Sequence, residues 1–251
     1  MARLRGMRVN GVPEQFREVE ALIRQEPTAS EDDLGVAGGM RRLCGAAARA
    51  LSASGAGLTV MVKDGMRAVT AASSPDIERL EELQLTLGEG PCVDAFASAR
   101  PVLIPDLASA MARWPVYAPA VHASGVRAVF AFPLQVGAAR LGMLDVFRSA
   151  PGMLTGNELG LALTFAEVAV ATLIDGQDGT GNGEAGGWLD DPLGSRAELF
   201  QAQGMVMVQL GGSLAEAMAR MRAYAYAHDR RLGEVAQDIV ARRLSFATPR
   251  P

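Results

Sequence analysis

The sequence predicts an α+β domain with an antiparallel sheet and flanking helices, followed by a small all-α domain of three helices. Three observations support this prediction. Short β-like runs alternate with amphipathic helical segments over residues 36–174. A stretch rich in glycine and acidic residues follows. Beyond it, helical segments are separated by glycines and by capping motifs.

Length and composition fit a globular chain of two modest domains. The 251 residues are 49% hydrophobic and 21% charged, a balance typical of folded proteins. No uninterrupted apolar run approaches the roughly 18 residues of a membrane span, and the first residues lack the apolar core of a secretory signal. We therefore expect a cytoplasmic protein without a membrane partner.

The charge is unevenly divided along the chain. The net charge is −4, but from Leu193 onward eight arginines face five acidic residues, which gives +3 for this end and −7 for residues 1–192. A mildly basic end on an acidic body is compatible with a nucleic-acid contact.

The predicted N-terminal domain begins with a helix and a hairpin. Residues 1–35 are expected to form an extension with one short amphipathic helix. From Val36 to Ala53, apolar residues recur at helical spacing. Two β-like runs then follow, Gly57–Lys63 and Met66–Ser73, and the Asp64-Gly65 pair between them is a strong hairpin signal.

The rest of this domain alternates helices with strands. Thr155 and Glu158 have the spacing of a capping box at the start of the last helix. Further helices are predicted at Pro75–Gln84, Cys92–Ala99 and Thr155–Ile174, and further strands at Val102–Ile104, Arg127–Gln135 and Arg140–Arg148.

Three segments of this region resemble a GAF domain of the actinobacterial regulator type. They are GEGPC at Gly88–Cys92, RPVLIPDL at Arg100–Leu107, and the hairpin Gly125–Arg148. The resemblance covers residues 36–174 and implies a sensor of a small molecule or a partner. Its ligand pocket is expected at Cys92, Phe130, Phe132 and Asp145. The residue sets typical of cyclic-nucleotide binding and of bilin attachment are absent, so the cofactor stays unidentified.

Cysteine and histidine are too few for a metal site of the usual kind. The sequence contains only Cys44, Cys92, His122 and His228, whereas zinc sites and disulfide frameworks need clustered ligands. We expect no metal site.

A linker is predicted at residues 175–192, because residues 175–187 are too polar to bury themselves.

Three helices are then predicted over residues 193–246, with a tail at 247–251. Ser195 to Glu198 and Ser213 to Glu216 are capping-box patterns that open the first two helices. The third runs from about Gly233 to Leu244.

The second helix of this region carries two Arg-Tyr pairs at a spacing of four residues. Helical geometry places Leu214, Met218, Met221 and Ala225 on the buried face, with Tyr224 and Tyr226 on opposite flanks. Aromatic stacking with guanidinium contacts suits unpaired RNA bases. The alternative is that the tyrosines line the helical core or a dimer seam.

The segments QAQGMVMVQLG, SLAEAMARMRAYA and LGEVAQDIV resemble an ANTAR domain, a three-helix module of transcription antitermination regulators that binds RNA hairpins. The resemblance implies an RNA-binding homodimer. The first helix is too apolar to be the main RNA contact, so we expect the second helix and the turn after it to bind RNA, through Arg220, Arg222, Tyr224, Tyr226, Arg230 and Arg231. Many members carry a lysine where this chain has Gln203, which removes one candidate phosphate contact.

The preferred function is thus a non-enzymatic regulator that binds leader hairpins in RNA and is controlled by its GAF-like domain. One alternative is a DNA-binding regulator, because two helices around the HDRR turn at 228–231 could form a helix-turn-helix unit. Another is a methionine sulfoxide reductase that uses Cys92, whose place at a helix N-terminus would lower its thiol pKa.

Overall fold

Five antiparallel strands form a single sheet in the order β2-β1-β5-β4-β3. The computed structural model describes residues 14–27, 35–60, 70–178 and 194–247. The strands are β1 Gly55–Val60, β2 Thr70–Ala72, β3 Val102–Ile104, β4 Ala128–Val136 and β5 Ala139–Arg148.

Helices cover both faces of this sheet and form the C-terminal domain. They are α1 Glu14–Arg24, α2 Val36–Ala50, α3 Pro75–Leu87, α4 Pro91–Ser98, α5 Tyr117–Ala123, α6 Gly156–Asp178, α7 Gly194–Leu210, α8 Leu214–Ala227 and α9 Leu232–Val240. One sheet face packs on α2 and α6, and the other packs on α3, α4 and α5. We call residues 36–178 the N-terminal domain and residues 194–247 the C-terminal domain.

Strand register decides which side chains share a face. Ala131 and Gly57 both lie opposite Asp145, whereas Phe130 lies opposite Val146. Neighbouring residues on a strand point to opposite faces. Asp145 therefore faces α3, α4 and α5, and Phe130 and Phe132 belong to the core beneath α2 and α6.

Two glycines allow α3 to approach the sheet and α4 closely. A Cβ atom on Gly57 would lie 2.4 Å from Glu81 Oε1, and one on Gly90 would lie 2.6 Å from Gln84 Oε1. Gly90 also has a φ of 136°, which L side chains rarely adopt. Both positions thus leave room for polar side chains of α3 inside the domain.

Most predicted elements of the N-terminal domain are confirmed with small shifts of their ends. β1 and β2 pair antiparallel, although the Asp64-Gly65 turn lies outside the described residues. Thr155 and Glu158 form the predicted capping box, with backbone-to-side-chain hydrogen bonds of 2.7 and 3.2 Å. Helix α6 continues to Asp178, past the predicted end of this helix at Ile174.

Helix α6 is, by length and composition, long and apolar enough to cross a membrane over Gly156–Ile174, with a mean hydropathy of 1.4. Glu158 and Glu167 interrupt this stretch, so the sequence shows no uninterrupted apolar run. The helix packs against α1, α2 and β4, and core helices of globular proteins pass the same test.

The C-terminal domain is a three-helix bundle with its own apolar core. Ser213 and Glu216 form the predicted capping box at the start of α8. Met218, Met221 and Ala225 are buried as expected, but Leu214 is 44% exposed, which corrects its predicted place in the core. Helix α7 begins at Gly194, so Ser195 lies inside the helix and is not its N-cap.

Candidate functional site

Two of the predicted RNA-binding side chains lie exposed on α8. Tyr226 is 59% exposed, and Arg220 is also on the surface. A phenol ring and a guanidinium in contact with solvent can reach a base and a phosphate without rearrangement of the bundle.

Tyr224 is partly buried against the core of the C-terminal domain. Its ring stacks on His228 with centroids 3.9 Å apart, and it meets Phe246 edge-on at 5.5 Å. His228 Nδ1 also lies 2.9 Å from the Tyr224 carbonyl oxygen. The sequence left open whether the tyrosines line the core, and for Tyr224 the structure shows that packing.

Arg230 belongs to an ion-pair group around Asp238 of α9. Its Nη2 donates to Asp238 Oδ2 at 2.7 Å, while Arg243 Nε donates to Asp238 Oδ1 at 2.6 Å. These hydrogen bonds lower the pKa of Asp238 and raise that of Arg230. The carboxylate of Asp238 is therefore neutralised by two arginines, and its repulsion of a phosphate is reduced.

Arg222 and Arg231 face the N-terminal domain, next to α3. Arg222 of α8 is half-buried next to Gly88, the residue that follows α3. A Cβ atom on Gly88 would lie 2.8 Å from Nη1 of Arg222. Burial lowers the pKa of this guanidinium. Arg231 Nε lies 3.7 Å from Glu82 Oε2. The six predicted RNA-binding residues are thus divided between an open surface, an aromatic stack, an ion-pair group and a domain contact.

Gln203 has a structural role that its position in the sequence does not reveal. The side chain is buried, and its Nε2 donates to the Leu214 carbonyl oxygen at 2.8 Å. This hydrogen bond fixes α7 to the first turn of α8, and it satisfies a carboxamide that would be costly to bury unpaired.

A buried polar cluster lies in the N-terminal domain between the sheet and helices α3, α4 and α5. One sulfur or oxygen atom each from Glu81, Cys92 and Asp145 lies within 4.8 Å of the others, and all three residues are buried. We call these three residues the acid–thiol cluster. Each comes from a different element, α3, α4 and β5 respectively.

Neutral groups hold this cluster in place. Gln84 accepts from the Cys92 backbone amide and donates to Asp145 Oδ2, both at 2.8 Å. Thr59 Oγ1 donates to Glu81 Oε2 at 3.0 Å. One oxygen of each carboxyl group is therefore fixed by an uncharged donor. Thr59 lies on β1 and Gln84 on α3, and both side chains point into the space between the sheet and α3.

Burial disfavours the charged form of every titratable group in this region. It raises the pKa of Asp145 to about 6 and raises the pKa of Glu81 further above its ordinary value, with the Asp145 charge as the second cause. The pKa values of the Cys92 thiol and the Tyr117 hydroxyl are raised for the same reasons. The cluster is thus an acidic site that retains protons when no cation compensates it.

The structure brings together only half of the predicted ligand pocket. Cys92 and Asp145 are neighbours, but Phe130 and Phe132 lie on the opposite face of the sheet. The expected set of four is therefore corrected, because a ligand that touches Asp145 is separated from both rings by the sheet.

The sequence analysis missed Glu81, Gln84, Tyr117 and Thr59. A signal for the first two was present. Ile77, Glu81, Gln84 and Leu85 recur at the spacing of one helical face and are all buried. A carboxylate and a carboxamide on the apolar face of a helix indicate an internal polar site.

The environment of the two cysteines disfavours thiolate chemistry. Burial raises the pKa of Cys92, which outweighs the expected effect of its helix N-terminus, and the pKa of Cys44 is raised as well. Cys44 packs beneath α2, on the sheet face opposite Cys92, and donates to the Ala71 carbonyl oxygen. The pair is not placed to form a catalytic dithiol.

Solved GAF-domain structures are similar to the N-terminal part of this chain. The GAF domain of an Acinetobacter phosphoenolpyruvate-protein phosphotransferase is 13% identical, with a TM-score of 0.48 over 67% of this chain and 95% of that chain. Its counterpart from Coxiella burnetii is 16% identical, with a TM-score of 0.49 over 65% and 93%. A free methionine-R-sulfoxide reductase from Neisseria meningitidis is 15% identical, with a TM-score of 0.42 over 63% and 86%. Likeness at this level bears on neither ligand nor activity.

No curated protein gives a significant match. Family models, in contrast, match both domains. The GAF domain model matches residues 36–173, and the ANTAR domain model matches residues 189–240. This architecture is typical of signal-sensing regulators with an RNA-binding output, rather than of enzymes. The chain therefore belongs to the GAF domain family and ends in an ANTAR domain.

Proposed function

We propose that this chain is a cytoplasmic regulator that binds hairpin RNA and thereby causes transcription antitermination. The observation that carries the proposal is the ANTAR match over residues 189–240, which coincides with a separate helical bundle bearing exposed arginines. The GAF domain is the sensor in this proposal, and a small ligand or a partner is its signal.

The RNA contact is assigned to the exposed part of α8 and its surroundings. Arg220 neutralises a phosphate, and Tyr226 stacks on an unpaired loop base, an interaction worth roughly 1–3 kcal/mol per base. Binding that favours one hairpin reduces the population of a competing terminator hairpin. Antitermination then follows from selection of an RNA conformation and needs no covalent step.

A homodimer is proposed through the open groove of the C-terminal domain. The groove has a volume of about 640 Å³ and lies beside Gly204, Val208 and Ile239. Val208 is 75% exposed, and a Cβ atom on Gly204 would meet nothing within 4 Å. A bare helical glycine next to exposed apolar side chains suits the close approach of a second helix, and two copies can hold paired hairpins.

Contact with α3 provides the proposed route of control. Arg222 and Arg231, two of the assigned RNA contacts, pack against Gly88 and Glu82. In this proposal RNA binding and domain contact compete for the same two arginines. A signal that shifts α3 therefore changes the affinity for RNA.

A gel-shift experiment with the full chain and a tandem-hairpin leader RNA tests the proposal. We expect binding that hairpin RNA competes for and duplex DNA does not. Arg220→Ala and Tyr226→Ala should each weaken it several-fold. Arg17→Ala, which removes an exposed arginine from α1, is the matched control and should leave it unchanged. Preference for duplex DNA would favour a DNA-binding regulator instead.

A further inference from the structure

The acid–thiol cluster combines three anionic ligand atoms at one buried point. Its members, Glu81, Cys92 and Asp145, offer two carboxylate oxygens and one sulfur within 4.8 Å of one another. In the described part of the chain, the neutral side chains of Thr59 and Gln84 donate hydrogen bonds to Glu81 and Asp145. Three acids that converge without a cationic side chain are costly to bury in ionised form.

Unpartnered polar atoms at the cluster provide an independent observation. The Tyr117 hydroxyl oxygen is buried and has no hydrogen-bond partner among the described residues, and the second oxygens of Glu81 and Asp145 meet no donor other than the side chains of the cluster itself. The charges of Asp145, Glu81 and Cys92 all act on Tyr117, so its hydroxyl lies within electrostatic range of the cluster. Buried polar atoms without partners are rare and indicate a further bound group.

The spacing suits a single ion of small radius. A tetrahedral zinc site has metal–sulfur and metal–oxygen distances of about 2.3 and 2.0–2.2 Å, so its ligand atoms lie roughly 3.5 Å apart. Ligand atoms within 4.8 Å reach this geometry through small side-chain adjustments.

We propose that Glu81, Cys92 and Asp145 form a binding site for one divalent transition-metal ion of the zinc type. A thiolate selects zinc-like ions over Mg²⁺ and Ca²⁺, which prefer ligand sets of oxygen only. The net ligand charge of −3 against +2 leaves a residual charge of −1, which the donors from Gln84 and Thr59 stabilise. This inference does not depend on RNA binding.

The surrounding hydrogen bonds are those that an oriented metal site requires. Gln84 fixes Asp145 and the start of α4 at once, and Thr59 fixes Glu81. Groups that orient metal ligands in this way commonly contribute 10- to 100-fold to affinity. The competing occupant is a proton shared between Glu81 and Asp145, which would satisfy their two free oxygens without any ion.

Cobalt titration of the full chain separates the two occupants. After chelator treatment, the protein should bind one Co²⁺ per chain and develop a thiolate-to-cobalt charge-transfer band in the near ultraviolet. Zn²⁺ should displace the cobalt and abolish the band. Cys92→Ser should lose the band, whereas Cys44→Ser, which alters the other buried cysteine, should retain it.

Asp145→Asn provides a second variant of nearly unchanged shape. It should weaken Co²⁺ binding at least about tenfold, while circular dichroism confirms that the variant is folded. Absence of a charge-transfer band in the wild type, or its persistence in Cys92→Ser, would overturn the proposal in favour of the shared proton. Equal Co²⁺ affinity of the wild type and Asp145→Asn would also contradict it.

Discussion

The two domains place their polar residues in opposite ways. The N-terminal domain buries Glu81, Gln84, Asp145 and Thr59 together, where neutral donors hold them in fixed positions. In the C-terminal domain, Gln203 is the one buried polar side chain of the described residues, and its arginines lie at the surface or in domain contacts. A buried site depends on exact packing, whereas a surface site depends on charge and access. Mutations should therefore affect the two domains differently.

The largest effect is expected from Gly57→Val in the N-terminal domain. The new side chain would overlap Glu81, whose carboxyl group has no free space to move into because it is buried. Overpacking of this kind costs about 1–3 kcal/mol of unfolding free energy. Chemical denaturation measures it. Gly233→Val in the first turn of α9, where a Cβ atom would meet nothing within 4 Å, is the control, and an equal loss there would contradict the comparison.

Two capping boxes allow a matched comparison of the domains. Glu158 caps α6 and pairs with Arg148, whereas Glu216 caps the exposed start of α8. Glu158→Gln should lower the unfolding free energy by about 1 kcal/mol at neutral pH, and Glu216→Gln should lower it less.

The effect of Glu158→Gln should also depend on pH. The hydrogen bonds from Thr155 lower the pKa of Glu158 in the folded chain. The stabilisation is therefore present above the ordinary glutamate pKa and is lost as the pH falls through the lowered value. Thermal unfolding of wild type and variant between pH 7 and pH 3 measures this, and a pH-independent difference would show that charge is not its source.

Arg220→Ala addresses the surface site without a change in packing. If Arg220 contacts one phosphate, the variant should reduce the dependence of log affinity on log salt by about 0.7–0.9. RNA binding at several salt concentrations measures this slope. Unfolding free energy should stay within about 0.5 kcal/mol of the wild type. An unchanged slope would remove Arg220 from the RNA contact.

The smallest effect is expected from Glu82→Lys at the domain contact. The change replaces an ion pair with Arg231 by a repulsion, and exposed pairs are worth only about 0–1 kcal/mol. RNA affinity should rise by up to about fivefold, because domain contact competes less well for Arg231. Glu18→Lys on α1 makes the same charge change elsewhere. Equal rises in both variants would attribute the effect to net charge alone.

Local signals in the sequence predicted the elements, and long-range packing determined the sites. The capping boxes at Thr155 and Ser213 depend on four residues each, and both are confirmed. Alternation along β4 and β5 could not show that Phe130 and Asp145 face opposite sides, because that depends on the register between the strands.

The position of Arg222 was beyond prediction for a related reason. Helical spacing placed it on a flank of α8, but its burial depends on contact with Gly88 of another domain. Glu81 was missed because an acidic residue in a polar-looking helix is ordinarily exposed. The predicted domain boundaries stay predictions, as do the RNA-binding residues.

Helix α3 makes the two proposed sites thermodynamically reciprocal. Its buried face supplies Glu81 and Gln84, and its outer side contacts Arg231 through Glu82. If occupancy of the acid–thiol cluster changes RNA affinity by some factor, RNA must change the affinity for the ion by the same factor. A measurement of ion release upon RNA addition would then report the coupling between the domains, even before the natural RNA target is identified.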